Sequence, residues 1–330
     1  MTALVTAVAV TAALFAIKPP ALQYHPGSSR TTANFEAGFS DLERRDDRLM
    51  GIIPGTEKRI RWYSGDVNSR TTWSVVYLHG FSATRQEIAP VGEMIADQLG
   101  ANLFETRLAG HGRVRSPLVG VRAEDWLDDG VEALTVGTAI GQQIVLIGTS
   151  TGATLALALA KLPGFQEVAD MILISPNFAP RDPAAEFLTW PGGPQLAYMI
   201  KGDTQSWTPA NELQGRFWST SYPMAAVVEM MRLVKFARAG LPLLLDASVM
   251  VIYSPADTVI DVDQILSAFP LLSAPRKRLL AVETSGDRSN HVLAGDILAP
   301  ENNQLLANAI VEFVLEEQTA PRHPDQKGGG

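Results

Sequence analysis

The chain has 330 residues, 46% of them hydrophobic and only 19% charged, which provides apolar material for a substantial core and argues against disorder. A net charge of −8 leaves no broad basic surface to displace phosphate counterions, so a nucleic-acid-binding role is disfavoured. Cysteine is absent, which removes disulfides, thiolate metal sites and cysteine nucleophiles together and leaves the compartment open.

Residues 1–20 form a hydrophobic N-terminal segment whose first 17 residues carry no charge. As a helix those residues would span roughly 25 Å, slightly short of a hydrocarbon core. Three readings compete: a membrane anchor, which is favoured; a cleaved export signal, which lacks a basic start; and a helix packed on the domain. Pro19 and Pro20 end any helix there. An anchored or exported protein at a bacterial inner membrane or periplasm is therefore expected ahead of a cytoplasmic one. Residues 21–50 are polar and irregular and read as a linker.

From Arg59 the chain settles into alternating strands and helices. Strands are expected at Arg59–Ser64, Trp73–Leu78, Ala101–Leu108, Gln143–Ile147 and Ala169–Ile174. Between them, helices are expected at Arg85–Leu99, with Ile88, Val91, Ile95 and Leu99 at helical spacing, at Glu124–Ile140 and at Thr151–Leu162. Strands apolar on both faces and separated by helices indicate a mostly parallel sheet covered on both sides. Residues 177–241 break this rhythm with Pro and Gly punctuation, Trp190, Trp207 and Trp218, four methionines, and an amphipathic stretch at Pro223–Ala239. The segment reads as a cap over the sheet edge, the alternative being an ordinary helical layer. The alternation resumes with strands at Ser248–Tyr253 and Arg278–Val282 and helices at Val262–Phe269 and Glu301–Glu317. The α/β core thus occupies 51–176 and 242–320, and 321–330 is a flexible tail.

The sharpest local signal is Gly148-Thr149-Ser150-Thr151-Gly152, directly after a buried strand and directly before an apolar helix. A serine on such a turn projects its hydroxyl above the sheet, the flanking glycines admit the neighbouring backbone, and the helix N-terminus favours a nearby oxyanion. The competing reading is a turn serine without a role. A nucleophilic serine needs a base. Of the five histidines, His25 and His323 lie in terminal segments, His79 ends a central strand and His111 sits in a loop, whereas His291 follows the last predicted strand. That loop falls at the C-terminal edge of a parallel sheet, where such sheets place their sites. Asp257, after Ser248–Tyr253, reaches the same edge and is the candidate acid. Asp261 and Asp263 fall where a helix begins and read as caps, and Asp287 and Asp296 as turn residues. An acyl-transfer intermediate also requires two N–H donors. Thr151 offers one by position, and Phe81, in His79-Gly80-Phe81-Ser82, is the natural second, with His79 an organiser of the loop.

In the order oxyanion loop, serine, acid, histidine, these pieces resemble the α/β-hydrolase superfamily over about Arg59 to Glu317. His79-Gly80-Phe81, Arg107-Leu108-Ala109-Gly110-His111-Gly112 and the serine turn are similar to those of bacterial carboxylesterases and the monoacylglycerol-lipase or lysophospholipase-like group. The resemblance implies an α/β-hydrolase fold, with a mostly parallel eight-stranded sheet, helices on both faces and a helical cap after the sixth strand, and it calls for neither cofactor nor metal. It gives the loop 107–112 the role of pocket wall. Gly80 and His111, with Trp190 and Trp218 of the cap, are the candidate substrate contacts. The lipase-type HGGG loop is missing, and a serine at the turn argues against dehalogenases and epoxide hydrolases, which place an aspartate there.

The expected activity is hydrolysis of a small-molecule or lipid carboxylic ester through an acyl-enzyme on Ser150, with an acid limb near or below neutral pH and membrane association through residues 1–17. Thioesterase, peptidase and C–C bond hydrolase chemistry use the same three residues, and a catalytically silent binding protein could keep the same fold. Oligomeric state is not legible.

Overall fold

The structure is a computed structural model that describes residues 21–24, 51–65, 67–162 and 164–319. Residues 1–20, most of the linker and the tail 321–330 lie outside the described residues, and with them the expectations for an anchor, for His25 and for His323. Among the described residues no helix is long and apolar enough to cross a membrane.

Five strands come first: β1 (Arg59–Arg61), β2 (Thr71–Leu78), β3 (Asn102–Glu105), β4 (Gly141–Thr149) and β5 (Val168–Ile174). Helices α1 (Val91–Leu99), α2 (Ala123–Ile140) and α3 (Thr151–Leu159) lie between them. The stretch expected as one helix from Arg85 is instead a 3-10 turn, Arg85–Glu87, followed by α1. Pro90 stands between the two and cannot donate the N–H that a continuous helix needs.

The segment 177–241 contains a 3-10 stretch (Pro183–Thr189), α4 (Gly193–Lys201), a hairpin of β6 (Thr204–Ser206) and β7 (Ser221–Pro223) enclosing α5 (Glu212–Phe217), and the long helix α6 (Met224–Arg238). The strands β8 (Leu243–Leu244), β9 (Ser248–Tyr253), β10 (Leu272–Ser273) and β11 (Lys277–Ala281), with helices α7 (Val262–Ala268) and α8 (Asn303–Thr319), complete the chain.

The main sheet runs β1-β3-β2-β4-β5-β9-β11, with β1 antiparallel to β3 and every other pairing parallel. Among the described residues it has seven strands against the eight implied by the resemblance, and the segment 177–241 follows its fifth strand. A separate two-residue parallel pair joins β8 to β10.

Period-two alternation assigns the two faces. Val76, Leu78, Leu146, Leu173 and Val251 point to one side and meet Trp126, Leu127, Leu155 and Val234 of α2, α3 and α6. Val75, Tyr77, Val145, Ile147, Ile172 and Ile252 point to the other and meet Val91, Ile95, Ile310 and Phe313 of α1 and α8. Each such aliphatic side chain contributes about 1.5–3 kcal/mol on burial, which fixes the register, since a one-residue slip would turn every side chain to the other face. A sheet held this firmly presents the C-terminal ends of β2, β4, β9 and β11 on one rim.

Candidate active site

Ser150 occupies the turn between β4 and α3 with φ 54° and ψ −116°, a conformation that costs a non-glycine residue about 1–3 kcal/mol. The surroundings hold it there: its N–H donates to the Ile174 carbonyl at 2.8 Å, and its own carbonyl accepts from Asn177 N–H at 3.3 Å and Thr154 N–H at 3.1 Å. The glycines follow from crowding. A Cβ at Gly152 would lie 2.1 Å from the Leu78 carbonyl oxygen, and one at Gly148 2.5 Å from that of Gly152.

His291 comes from the loop after β11. Its backbone is tied on three sides: Asp287 Oδ2 accepts its N–H at 3.1 Å and that of Val292 at 3.1 Å, while Ser175 Oγ, at the end of β5, donates to its carbonyl at 2.8 Å. Its Nδ1 lies 2.7 Å from Asp257 Oδ2. Asp257 has its other oxygen occupied by the N–H groups of Val259 at 2.7 Å and Ile260 at 3.1 Å, so the carboxylate is fully oriented before it meets the imidazole. A proton on Nδ1, donated to Asp257, leaves Nε2 with its lone pair. Burial is the largest influence on His291 and pulls its pKa down. The hydrogen bond and charge of Asp257, with Glu87 and Asp287 behind, outweigh it and leave the value raised. Asp261 caps α7 by accepting from Asp263 N–H at 3.0 Å, as its position at a helix start implied.

Ser150, Thr151, Phe81 and His291 line one cavity of about 620 Å³. Trp207, Trp218, Tyr222, Val227 and Met230 of the segment 177–241 form its other wall. A second cavity of about 440 Å³ lies among Leu188, Leu196, Ala197 and Met224, and it shares Pro180, Tyr222, Val227 and Met230 with the first.

In the loop after β2, Gly80 N–H donates to Glu87 Oε2 at 2.8 Å, Ser82 N–H to His111 Nε2 at 3.1 Å and Ala83 N–H to the Gly80 carbonyl at 3.3 Å. Among the described residues Phe81 N–H has no such partner. Thr151 N–H, the first of helix α3, has no intrahelical acceptor by construction. Two residues that line the serine cavity, Phe81 and Thr151, thus carry backbone N–H groups with no protein acceptor among the described residues.

His111 and Trp190 are not placed as substrate contacts. His111 is buried, accepts from Ser82 N–H and directs its Nδ1 to the Ala109 carbonyl at 3.1 Å. It ties one loop to the other and does not face the cavity. Trp190 is 54% exposed beside Phe187 and lies outside the cavity, because the 3-10 stretch before it turns its ring to the surface. Gly80 contributes through close approach: a Cβ there would stand 3.3 Å from that of Ser150. Trp218 does line the cavity. His79 accepts from Leu108 N–H at 3.0 Å and directs Nδ1 to the Gly80 carbonyl at 3.0 Å. Burial pushes its pKa down to about 4 and that of His111 well below the ordinary value, so both are neutral organisers. Sequence reasoning missed Glu87 and Ser175. A glutamate in a first helical turn carries no signal of burial, and the serine's role depends on a loop more than a hundred residues away.

Comparison with curated proteins gives no match. Among solved structures, the chain is similar to one from a study of LipS and LipT, two metagenome-derived lipolytic enzymes (TM-score 0.66, 19% identity, 80% of this chain and 99% of the other). It is also similar to a monoglyceride lipase from Saccharomyces cerevisiae (0.58, 14%, 80% and 92%). A third is a monoacylglycerol lipase from Paleococcus ferrophilus (0.59, 14%, 78% and 98%). At these identities the likeness is one of fold. The model of the Alpha/beta hydrolase family matches residues 75–301, well over half the chain, and this protein belongs to that family.

Proposed function

We propose that the protein is a serine hydrolase that cleaves carboxylic esters through an acyl-enzyme on Ser150. The observation that carries the reading is the 2.7 Å bond between His291 Nδ1 and a fully oriented Asp257, which frees Nε2 in the cavity that Ser150 lines. Ser150 Oγ attacks the ester carbonyl while its proton passes to His291 Nε2, and Asp257 stabilises the resulting imidazolium. The N–H groups of Phe81 and Thr151 receive the oxyanion. His291 then returns the proton to the departing alcohol. Water, deprotonated by the same nitrogen, attacks the acyl carbonyl, and the acid leaves as the Ser150 hydroxyl re-forms.

The acyl group is assigned to the second, apolar cavity, entered past Tyr222, Val227 and Met230. Lipolytic enzymes and monoglyceride lipases among the similar structures support an ester with an aliphatic acyl chain. Residues 1–17 are assigned a tethering role at a membrane, which their deletion followed by membrane fractionation tests.

Hydrolysis of p-nitrophenyl butyrate by the wild type and by Ser150→Ala tests the core of the reading. Near-complete loss of turnover with an unchanged melting temperature is expected, and an unchanged rate refutes it.

A further inference from the structure

Glu87 lies 3% exposed, beside the serine cavity, with no lysine or arginine bonded to it among the described residues. A carboxylate does not occupy such a place without partners. Its Oε2 accepts two hydrogen bonds, from Gly80 N–H at 2.8 Å and from the Tyr77 hydroxyl at 2.8 Å. The Tyr77 oxygen in turn stands 3.2 Å from Thr149 Oγ1, on the residue before Ser150. Gly80 is held between the carboxylate and the nucleophile: a Cβ built on it would lie 2.7 Å from Glu87 Oε1 and 3.3 Å from Ser150 Cβ. The outer side of the 3-10 turn is closed by Gly295, where a Cβ would be 2.4 Å from the Glu87 carbonyl oxygen. Through the Tyr77 hydroxyl, Glu87 therefore joins the loop that carries Phe81 to Thr149, the last residue of β4 before Ser150.

We infer that Glu87 is a positioning residue, whose Oε2 holds the His79–Gly80 peptide through the Gly80 N–H and so, together with the bonds of Ala83 and His79 to the Gly80 carbonyl, aims the next N–H, that of Phe81, at the oxyanion of the reaction. The inference rests on the serine-esterase reading above. The demand is geometric. Oxyanion donors act at about 2.7–3.1 Å from the developing charge, and displacement of a catalytic group by about 1 Å can cost on the order of 10²-fold in rate. Phe81 has further restraints: its ring meets Tyr222 edge-on at 5.1 Å, and the Gly80 carbonyl, which shares a peptide plane with the Phe81 N–H, accepts from Ala83 N–H at 3.3 Å and lies 3.0 Å from His79 Nδ1. Glu87 supplies the hold on the preceding peptide, the one that carries the Gly80 N–H.

Both bonds fall on a single oxygen, and this separates position from charge. Glu87→Gln places a carbonyl oxygen at the same point and keeps both bonds while removing the charge. Glu87→Asp keeps the charge but withdraws the carboxylate by one methylene. The experiment measures kcat and KM on p-nitrophenyl butyrate for wild type, Glu87→Gln and Glu87→Asp. Melting temperature and labelling of Ser150 by a fluorophosphonate are followed alongside. The expected result is Glu87→Gln within about 3-fold of wild type, and Glu87→Asp lower in kcat by about 10- to 100-fold with KM nearly unchanged, the signature of an interaction made in the transition state. Glu87→Asp turning over as wild type, or Glu87→Gln falling as far as Glu87→Asp, overturns the inference while labelled wild type leaves the serine reading standing. Folded wild type that neither labels nor turns over removes the serine reading itself, and this inference with it.

Discussion

Replacement of Asp257 by asparagine removes one charge and almost no volume, and the structure states which way the new amide must turn. Val259 N–H at 2.7 Å and Ile260 N–H at 3.1 Å both require an acceptor at the Oδ1 position. The amide oxygen takes that place, because the reverse orientation would oppose an NH₂ to two N–H donors and leave buried groups unsatisfied at about 1–3 kcal/mol each. The NH₂ then faces His291 Nδ1 across the present 2.7 Å and can only donate. His291 must offer a lone pair at Nδ1 and carry its proton on Nε2, the nitrogen that should accept from Ser150. The fold survives while the base is held in the wrong tautomer. In a serine protease the equivalent change lowers kcat by about 10⁴, or about 5.4 kcal/mol at 1.36 kcal/mol per decade. A loss of that order is expected for Asp257→Asn on p-nitrophenyl butyrate near pH 7.5, with melting temperature held. A rate within about 10-fold of wild type on folded protein refutes the tautomer argument.

Other outcomes follow from the same geometry. The acid limb of kcat/KM should lie above the ordinary histidine value of 6.5, because Asp257, Glu87 and Asp287 raise His291 against its burial. This moves the limb upward from the position expected of an isolated loop histidine, and a pH–rate profile with its acid midpoint below that value contradicts the assignment. Gly152→Ala sets a methyl group 2.1 Å from the Leu78 carbonyl oxygen, so α3 must move away from β2. A destabilisation of at least about 1–3 kcal/mol in urea unfolding, accompanied by lost turnover, is expected.

Burial pushes the Glu87 carboxyl from 4.5 up to about 7. A carboxyl raised in the folded state binds its proton more tightly there than when unfolded, so its contribution is fully present below pH 4.5 and fades as pH rises through about 7. Glu87→Gln should therefore gain stability relative to wild type across that window, by up to about 3 kcal/mol, in paired melts at acid and alkaline pH. A difference that does not change with pH argues against the burial. Met230→Trp, at the passage shared by the two cavities, should shift preference from long to short acyl chains in an ester-length panel, while an unchanged profile places the acyl group elsewhere.

The serine turn was legible because all of its constraints are local. A buried strand, two glycines in contact with neighbouring backbone and an apolar helix leave their marks within a dozen residues. Asp257 and His291 were legible by topology, since a parallel sheet brings the loops after successive strands to one rim. What was not legible depends on chain segments far apart in sequence. Ser175 acts on a loop 116 residues away, and His111 serves as a hydrogen-bond acceptor for Ser82. Glu87 looked like an ordinary residue of a helical first turn, because periodicity was read through Pro90 as though the helix were unbroken. In residues 177–241 tryptophan content was a poor guide. Trp218 faces the cavity and Trp190 the solvent, and the choice was made by a 3-10 stretch and a short hairpin too brief to leave a periodic pattern.

Rapid-quench mass spectrometry during turnover of p-nitrophenyl butyrate addresses the covalent step itself. A single butyryl group that accumulates on the peptide bearing Ser150, and disappears as water completes the cycle, is the result predicted here. Steady ester turnover with that peptide unmodified throughout, or with the acyl group on another residue, contradicts the account.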